Sequence, residues 1–142
     1  MKFSRWGSVG LLLILLTSCG LLERRVRVVG EIDSFSQQDA IIVPASVQSR
    51  ESFEVTVTTL GGGCMDQGET DVQVQGLRAD ITPYDYAITP LFGACLLYGE
   101  EYLHTTTLTF AEKGTATLFF HGRELTTGKA GETTQTRTLT VC

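Results

Sequence analysis

Apolar and polar side chains alternate with a period of two through most of residues 40–142, the pattern of strands that turn one face to a core and the other to water. Phe53, Val55 and Val57 alternate with Glu54, Thr56 and Thr58, and the run closes on Gly61-Gly62-Gly63, a breaker that predicts a loop. Val72 and Val74 alternate with Asp71, Gln73 and Gln75, and Ala79 and Ile81 follow after Gly76. Leu108 and Phe110 alternate with Thr107 and Thr109, after which Ala111-Glu112-Lys113-Gly114 predicts a reversal. Beyond it Ala116, Leu118 and Phe120 point one way and Thr117, Phe119 and His121 the other; Leu139 and Val141 face inward between Thr138 and Thr140. The runs are rich in threonine, valine and phenylalanine, which suit a pleated, half-buried surface, and no stretch has a convincing helical period. Strand spacing and turn signals together predict an all-β sandwich.

The first residues follow another pattern. Lys2 and Arg5 precede the apolar run 11–16, which closes on Leu16-Thr17-Ser18-Cys19. A positive start, an apolar stretch of about 7–15 residues and small residues at a cut site are the parts of a secretory signal peptide. The stretch is shorter than the roughly 20 residues that span a bilayer. Leucine, two small residues and cysteine resemble the lipobox of bacterial lipoproteins. The resemblance implies that residues 1–18 are removed and that Cys19 becomes the first mature residue. It also implies that the sulfur of Cys19 is lipidated with diacylglycerol, palmitate completing a set of two or three acyl chains. One chain anchors marginally, at about 0.8 kcal/mol per buried methylene, whereas two or three hold essentially permanently. Gly20, where an aspartate does not stand, resembles lipoproteins sent to the outer membrane of cells that have two. The expected location is therefore the bacterial cell envelope, lipid-anchored to a membrane.

Charge narrows the choice of partners. Without residues 1–18, which hold Lys2 and Arg5, nine basic side chains face sixteen acidic ones and the net charge is about −7. Nucleic acid, which is recognised through basic clusters meeting phosphate, is an unsuitable partner. The remaining length suits one domain, here taken as 40–142, preceded over 19–39 by a lipid-anchored tether and a possible first edge strand at 25–32. Arg24, Arg25 and Arg27 lie a few residues from the lipid, where each could attract anionic headgroups by about 1 kcal/mol.

About seven short strands in roughly 100 residues resembles an immunoglobulin-like antiparallel β-sandwich of the bacterial surface type. The resemblance rests on strand count, on the opening 41–47 with Pro44 where an edge strand tolerates one, and on the strand-turn-strand 108–120. The chain departs from antibody domains in having no tryptophan after Trp6 and no cysteine in the strands holding Phe53 and Leu118. Another two-sheet or barrel topology therefore stays open. Cys64, Cys95 and Cys142 make an odd number in a compartment that favours disulfides. An immunoglobulin-like topology implies that Cys64 and Cys95 meet at one pole, with Cys142 at the other as a free tail thiol or one joined to another molecule. A Cys64–Cys95 bond closes a loop of about 32 residues.

Candidate chemistry is sparse. His104, His121, Cys142 and the acidic stretch Asp66, Glu69, Asp71 carry metal-ligating groups without the spacing of a zinc site or a calcium loop, so no cofactor is expected, and 66–71 reads as a solvated turn. His104 has the inward parity of the Leu108 strand; His121 has the outward parity of its own. No serine stands in a Gly-x-Ser-x-Gly elbow and no cysteine and histidine share a recognisable arrangement, so a non-catalytic protein is expected. In the stretch 80–90, Pro83 and Pro90 fix φ and predict a stiff connection between sheets, on which Tyr84 and Tyr86 are candidate contacts for an envelope protein or glycan, or cover the end of the sandwich. The functional expectation is an exported, lipid-anchored binding or interaction module; the alternative is an envelope lipoprotein that binds a metal or small ligand.

Overall fold

The computed structural model describes residues 23–33, 39–90, 93–96, 98–126 and 129–142, so the leader 1–18 and Cys19 lie outside the described residues. Among the described residues there are ten strands: β1 (Glu23–Val29), β2 (Glu31–Ile32), β3 (Ile41–Ile42), β4 (Ser46–Val47), β5 (Ser52–Gly62), β6 (Met65–Gln75), β7 (Arg78–Pro90), β8 (Gly99–Thr109), β9 (Gly114–Thr126) and β10 (Lys129–Val141). No helix occurs among the described residues. One layer is the ladder β6-β7-β9-β10-β4, with β1 beside the second half of β7; the other is β8-β5, with β2 and β3 on the opposite edge of β5. Glu31 of β2 pairs with both Leu60 and Arg123, so the layers form one continuous sheet curled on itself into a sandwich.

The all-β sandwich is as the sequence predicts, with ten strands among the described residues instead of about seven. The pairing is not wholly antiparallel. β6 and β7 form a hairpin whose second strand lies next to β9, so β7 and β9 run parallel, as do β4 and β10. Between the layers, Ile32, Ile41, Val55, Val57, Ile81, Leu108, Phe110, Leu118, Phe120, Leu139 and Val141 form one buried cluster, the inward positions of the alternating runs. β1 pairs with β7 over seven residues and Ile32 is in the core, so the possible first edge strand at 25–32 is strand, begins earlier at Glu23 and is divided at Gly30 into β1 and β2.

Local chemistry explains where strands begin, end and cross. The chain leaves β5 and joins β10 between Ile42 and Ser46, and Pro44, which has no N–H to give to a ladder, occupies that crossing. Gly76 takes φ +58° as the first residue of the two-residue turn joining β6 to β7, a conformation a side chain resists. Three expected loops are strand instead. Gly61 and Gly62 continue β5, paired with Glu100 and Gly99, because a Cβ at Gly61 would collide with the Tyr102 ring that packs over it. The acidic stretch 66–71 belongs to β6 and 80–90 to β7. Pro83 sits inside β7 without cost. The β9 ladder ends at Ile81 and the β1 ladder begins at Tyr84, so Pro83 owes no N–H and its carbonyl accepts from Gly30 (2.9 Å).

Cys64 and Cys95 form a disulfide, with Cα atoms 5.2 Å apart, at the pole where β5 and β7 end and β6 and β8 begin. Cys142 is exposed and free at the opposite pole, where Val141 pairs with Gly114. The bond closes a 31-residue separation, and Cys64→Ser with Cys95→Ser is expected to lower stability by roughly 3–4 kcal/mol on the chain-entropy account. Urea denaturation compares it with Phe120→Ala, for which a loss of about 3–5 kcal/mol is expected from the fully buried ring.

Candidate functional site

β7 turns alternate side chains to opposite sides, and its outward row Arg78, Asp80, Thr82, Tyr84 and Tyr86 forms the centre of an open face. β1 on one side supplies Arg25 and Arg27; β6 on the other supplies Asp66, Glu69 and Asp71. Each arginine reaches across a tyrosine to a carboxylate. The Arg27 guanidinium lies 3.5 Å from the Tyr84 ring centre and pairs with Glu69 (2.6 Å) and Asp71 (3.0 Å). Arg25 stands 5.2 Å over Tyr86 and pairs with Asp66. The Tyr86 hydroxyl donates to Glu69 (3.0 Å), which raises the phenol out of its ordinary range. Glu69 is held below the usual carboxylate range by its own backbone N–H first, then by Tyr86 and Arg27. The pairs are solvated, so their value lies in holding two aromatic rings in fixed orientation more than in stability.

A β-bulge makes this alignment possible. Gly68 and Glu69 together stand opposite Tyr84, which shifts the parity of β6 so that Asp66, Glu69 and Asp71 all face outward while Thr70 turns inward. Gly68 is required there, since a Cβ would run into the Tyr84 carbonyl.

Farther along the face, Asp71, Gln73, Asp80, Thr82, Tyr84 and His121 line an open groove of about 370 Å³. Asp80 accepts a fork from Arg78 (2.7 and 2.8 Å) and a bond from His121 Nε2 (2.8 Å), and these donors, Arg78 first, hold its carboxyl well below the ordinary range. Arg78 also covers the Phe119 ring at 4.2 Å. His121 Nδ1 meets the Thr134 hydroxyl at 3.2 Å. The groove is thus walled by the Tyr84 ring and by acceptors and donors that Arg78, His121 and Thr134 fix in direction.

The inward row of β7 carries a second cluster. Asp85 is 0% exposed and His104 of β8 2%. The Thr59 hydroxyl donates to Asp85 Oδ2 (2.8 Å), leaving its oxygen to accept from His104 Nε2 (3.0 Å), which also faces Asp85 Oδ1 (3.0 Å). Thr70 meets His104 Nδ1 at 3.2 Å and the Gly68 N–H approaches Asp85 Oδ1 at 3.4 Å. These are the residue types of a nucleophile, base and orienting acid. The geometry is not theirs, because the hydroxyl points at the carboxylate and all three are sealed from solvent. The cluster fastens one layer of the sandwich to the other.

Comparison of the chain with protein-family models, curated proteins and solved structures finds no match. The site is therefore read from its own chemistry. Tyr84 and Tyr86 stand on a strand instead of a stiff loop, with Arg27 and Arg25 over them. His104 and His121 are not brought together: one is buried against Asp85, the other is outside against Asp80. Among the described residues no three His, Cys, Asp or Glu side chains converge as metal ligands, and the acidic stretch is divided between Arg25 and Arg27. Sequence reading missed Asp85, whose inward parity follows from Ile81 once 80–90 is recognised as strand, and Gln73 and Thr82 of the groove.

Removing one partner of the buried pair leaves the other unsatisfied, so His104→Leu is expected to cost about 3–5 kcal/mol in urea denaturation. The double variant Asp85→Leu with His104→Leu is expected to lose less than the sum of the singles. Asp80, with its lowered folded-state pKa, contributes stability that is present above the ordinary aspartate range near pH 4 and is lost as pH falls below it. Asp80→Asn is accordingly expected to cost about 1 kcal/mol or less at pH 7, solvent screening being strong, and the gap to the parent protein to narrow progressively as pH is lowered from about 4 to about 2 in thermal melts.

Proposed function

We propose that this chain is an exported, lipid-anchored envelope protein, tethered through Cys19, that acts without catalysis by binding an envelope protein or glycan on the outward face of β1, β6, β7 and β9. The observation that carries the reading is the arginine–tyrosine–carboxylate ladder with its adjoining groove: oriented aromatic and hydrogen-bonding groups are open to solvent, whereas the acid–histidine pair is sealed inside. Such a face offers contact area with little rotamer freedom left to lose. The lipobox resemblance and the Cys64–Cys95 disulfide both support an oxidising, exported compartment.

Two measurements test this. Full-length protein expressed with its leader is expected to yield an N-terminal peptide that begins at a lipid-modified Cys19 and is lost in Cys19→Ala; an unmodified peptide retaining Met1 would remove the anchor from the proposal. Thr82→Arg, which fills the groove, and Tyr86→Ala are each expected to lower capture of a crosslinked envelope partner or isolated cell-wall polysaccharide at least tenfold while shifting Tm by less than about 4 °C. Unchanged capture by both variants would reject the face.

A further inference from the structure

The start of β1 and the disulfide loop lie at one pole. Glu23 pairs with Pro90, the Ile88 N–H donates to the Cys64 carbonyl (2.8 Å), and Gly62 pairs with Gly99. On that pole Leu96 is 71% exposed and Tyr98 52% exposed, the first being the most exposed large apolar side chain of the described residues. The backbone on which each stands is held to the fold. Cys95 is bonded to Cys64, Gly63 packs so closely on the Leu96 backbone that a Cβ there has no room, and the Tyr98 N–H donates to the Leu96 carbonyl (3.1 Å).

Four peptide units separate Cys19 from Glu23, and an extended chain covers at most about 3.6 Å per residue, so β1 begins within roughly 14 Å of the Cα of the anchored Cys19. We infer that this pole docks on the bilayer surface, with Leu96 entering the acyl boundary and Tyr98 at headgroup level, the depths at which an aliphatic chain and an amphipathic ring each settle. The inference rests on the lipid-anchor reading. Glu23, Arg24, Arg25, Asp66, Glu100 and Glu101 mix both signs at this end, so apolar insertion and not attraction to anionic lipid makes the contact. Docking in this way stands the strands up from the membrane. Cys142 is then far from it, at the other end of strands roughly 33 Å long, and the open face of β7 is presented sideways along the surface.

The test uses lipidated full-length protein in phosphatidylcholine–phosphatidylglycerol vesicles carrying a spin-labelled quencher at the upper acyl chain. Cleavage removes Trp6, the chain's single tryptophan, so Leu96→Trp and Lys113→Trp, the latter at the opposite pole, each report one position. Leu96→Trp is expected to be quenched at least twofold more than Lys113→Trp, with blue-shifted emission and no change on raising salt from 0.05 to about 0.5 M. A lipidated, vesicle-bound protein in which both indoles are quenched equally overturns the docked orientation and leaves the anchor standing. Quenching that disappears in high salt overturns the apolar mode of contact. A chain whose mass shows no lipid and which does not float with vesicles overturns anchor and docking together.

Discussion

A strand has two edges, and β7 must serve three partners. β6 takes one edge from Arg78 to Ala87; the other is divided at Pro83, whose missing N–H ends the β9 ladder at Ile81 and lets the β1 ladder begin at Tyr84. Gly30 closes the gap, donating to the Pro83 carbonyl and accepting from the Arg123 N–H, and so turns the chain from β1 into β2 and across to the other layer. Nothing larger than glycine fits, since a Cβ would meet Thr59 at 2.6 Å and the Asp85 carboxylate at 2.9 Å. The continuity of the sheet, the placing of the arginines beside the tyrosines and the room for the buried acid all depend on this division of one edge.

The two faces of β7 do opposite things with similar chemistry. Inside, Asp85 and His104 are desolvated, and their hydrogen bonds to Thr59, Thr70 and Gly68 satisfy polar groups that would otherwise oppose folding. Outside, Asp80 and His121 make a similar contact in water, where it adds little to stability but keeps two groups oriented beside an open groove. The bulge at Gly68 serves both sides: it turns Thr70 in towards His104 and Glu69 out towards Arg27 and Tyr86.

Much of the fold was legible because a half-buried strand writes its parity into the sequence. Val55 and Val57, Ala116 and Phe120, and Leu139 and Val141 are all inward as their alternation indicates, and His104 and His121 fall on the sides their parity assigns. The errors have one cause. Local preference makes glycine, proline and clustered acids read as loop at 61–63, 66–71 and 80–90; Gly63 does turn the chain, but tertiary neighbours make Gly61, Gly62 and the other two stretches strand. Tyr102 needs the space at Gly61, arginines from β1 neutralise the acids of β6, and Pro83 falls where no ladder bond is due. The candidate site is half legible in the sequence: the chemistry of Tyr84 and Tyr86 marks them as contact residues, but nothing along the chain places arginines 57 to 61 residues away over their rings.

By itself the sequence determined an all-β chain with its core residues assigned by period two and an acidic balance of charge. These follow from local patterns, in which each residue's role is set by its neighbours along the chain. Only the tertiary structure decided that β7 lies parallel to β9, that Asp85 is buried against His104, and that arginine, tyrosine and carboxylate from three strands share one face. Strand order and cross-strand register depend on contacts between residues far apart in sequence, and period-two alternation is the same whichever strand lies alongside.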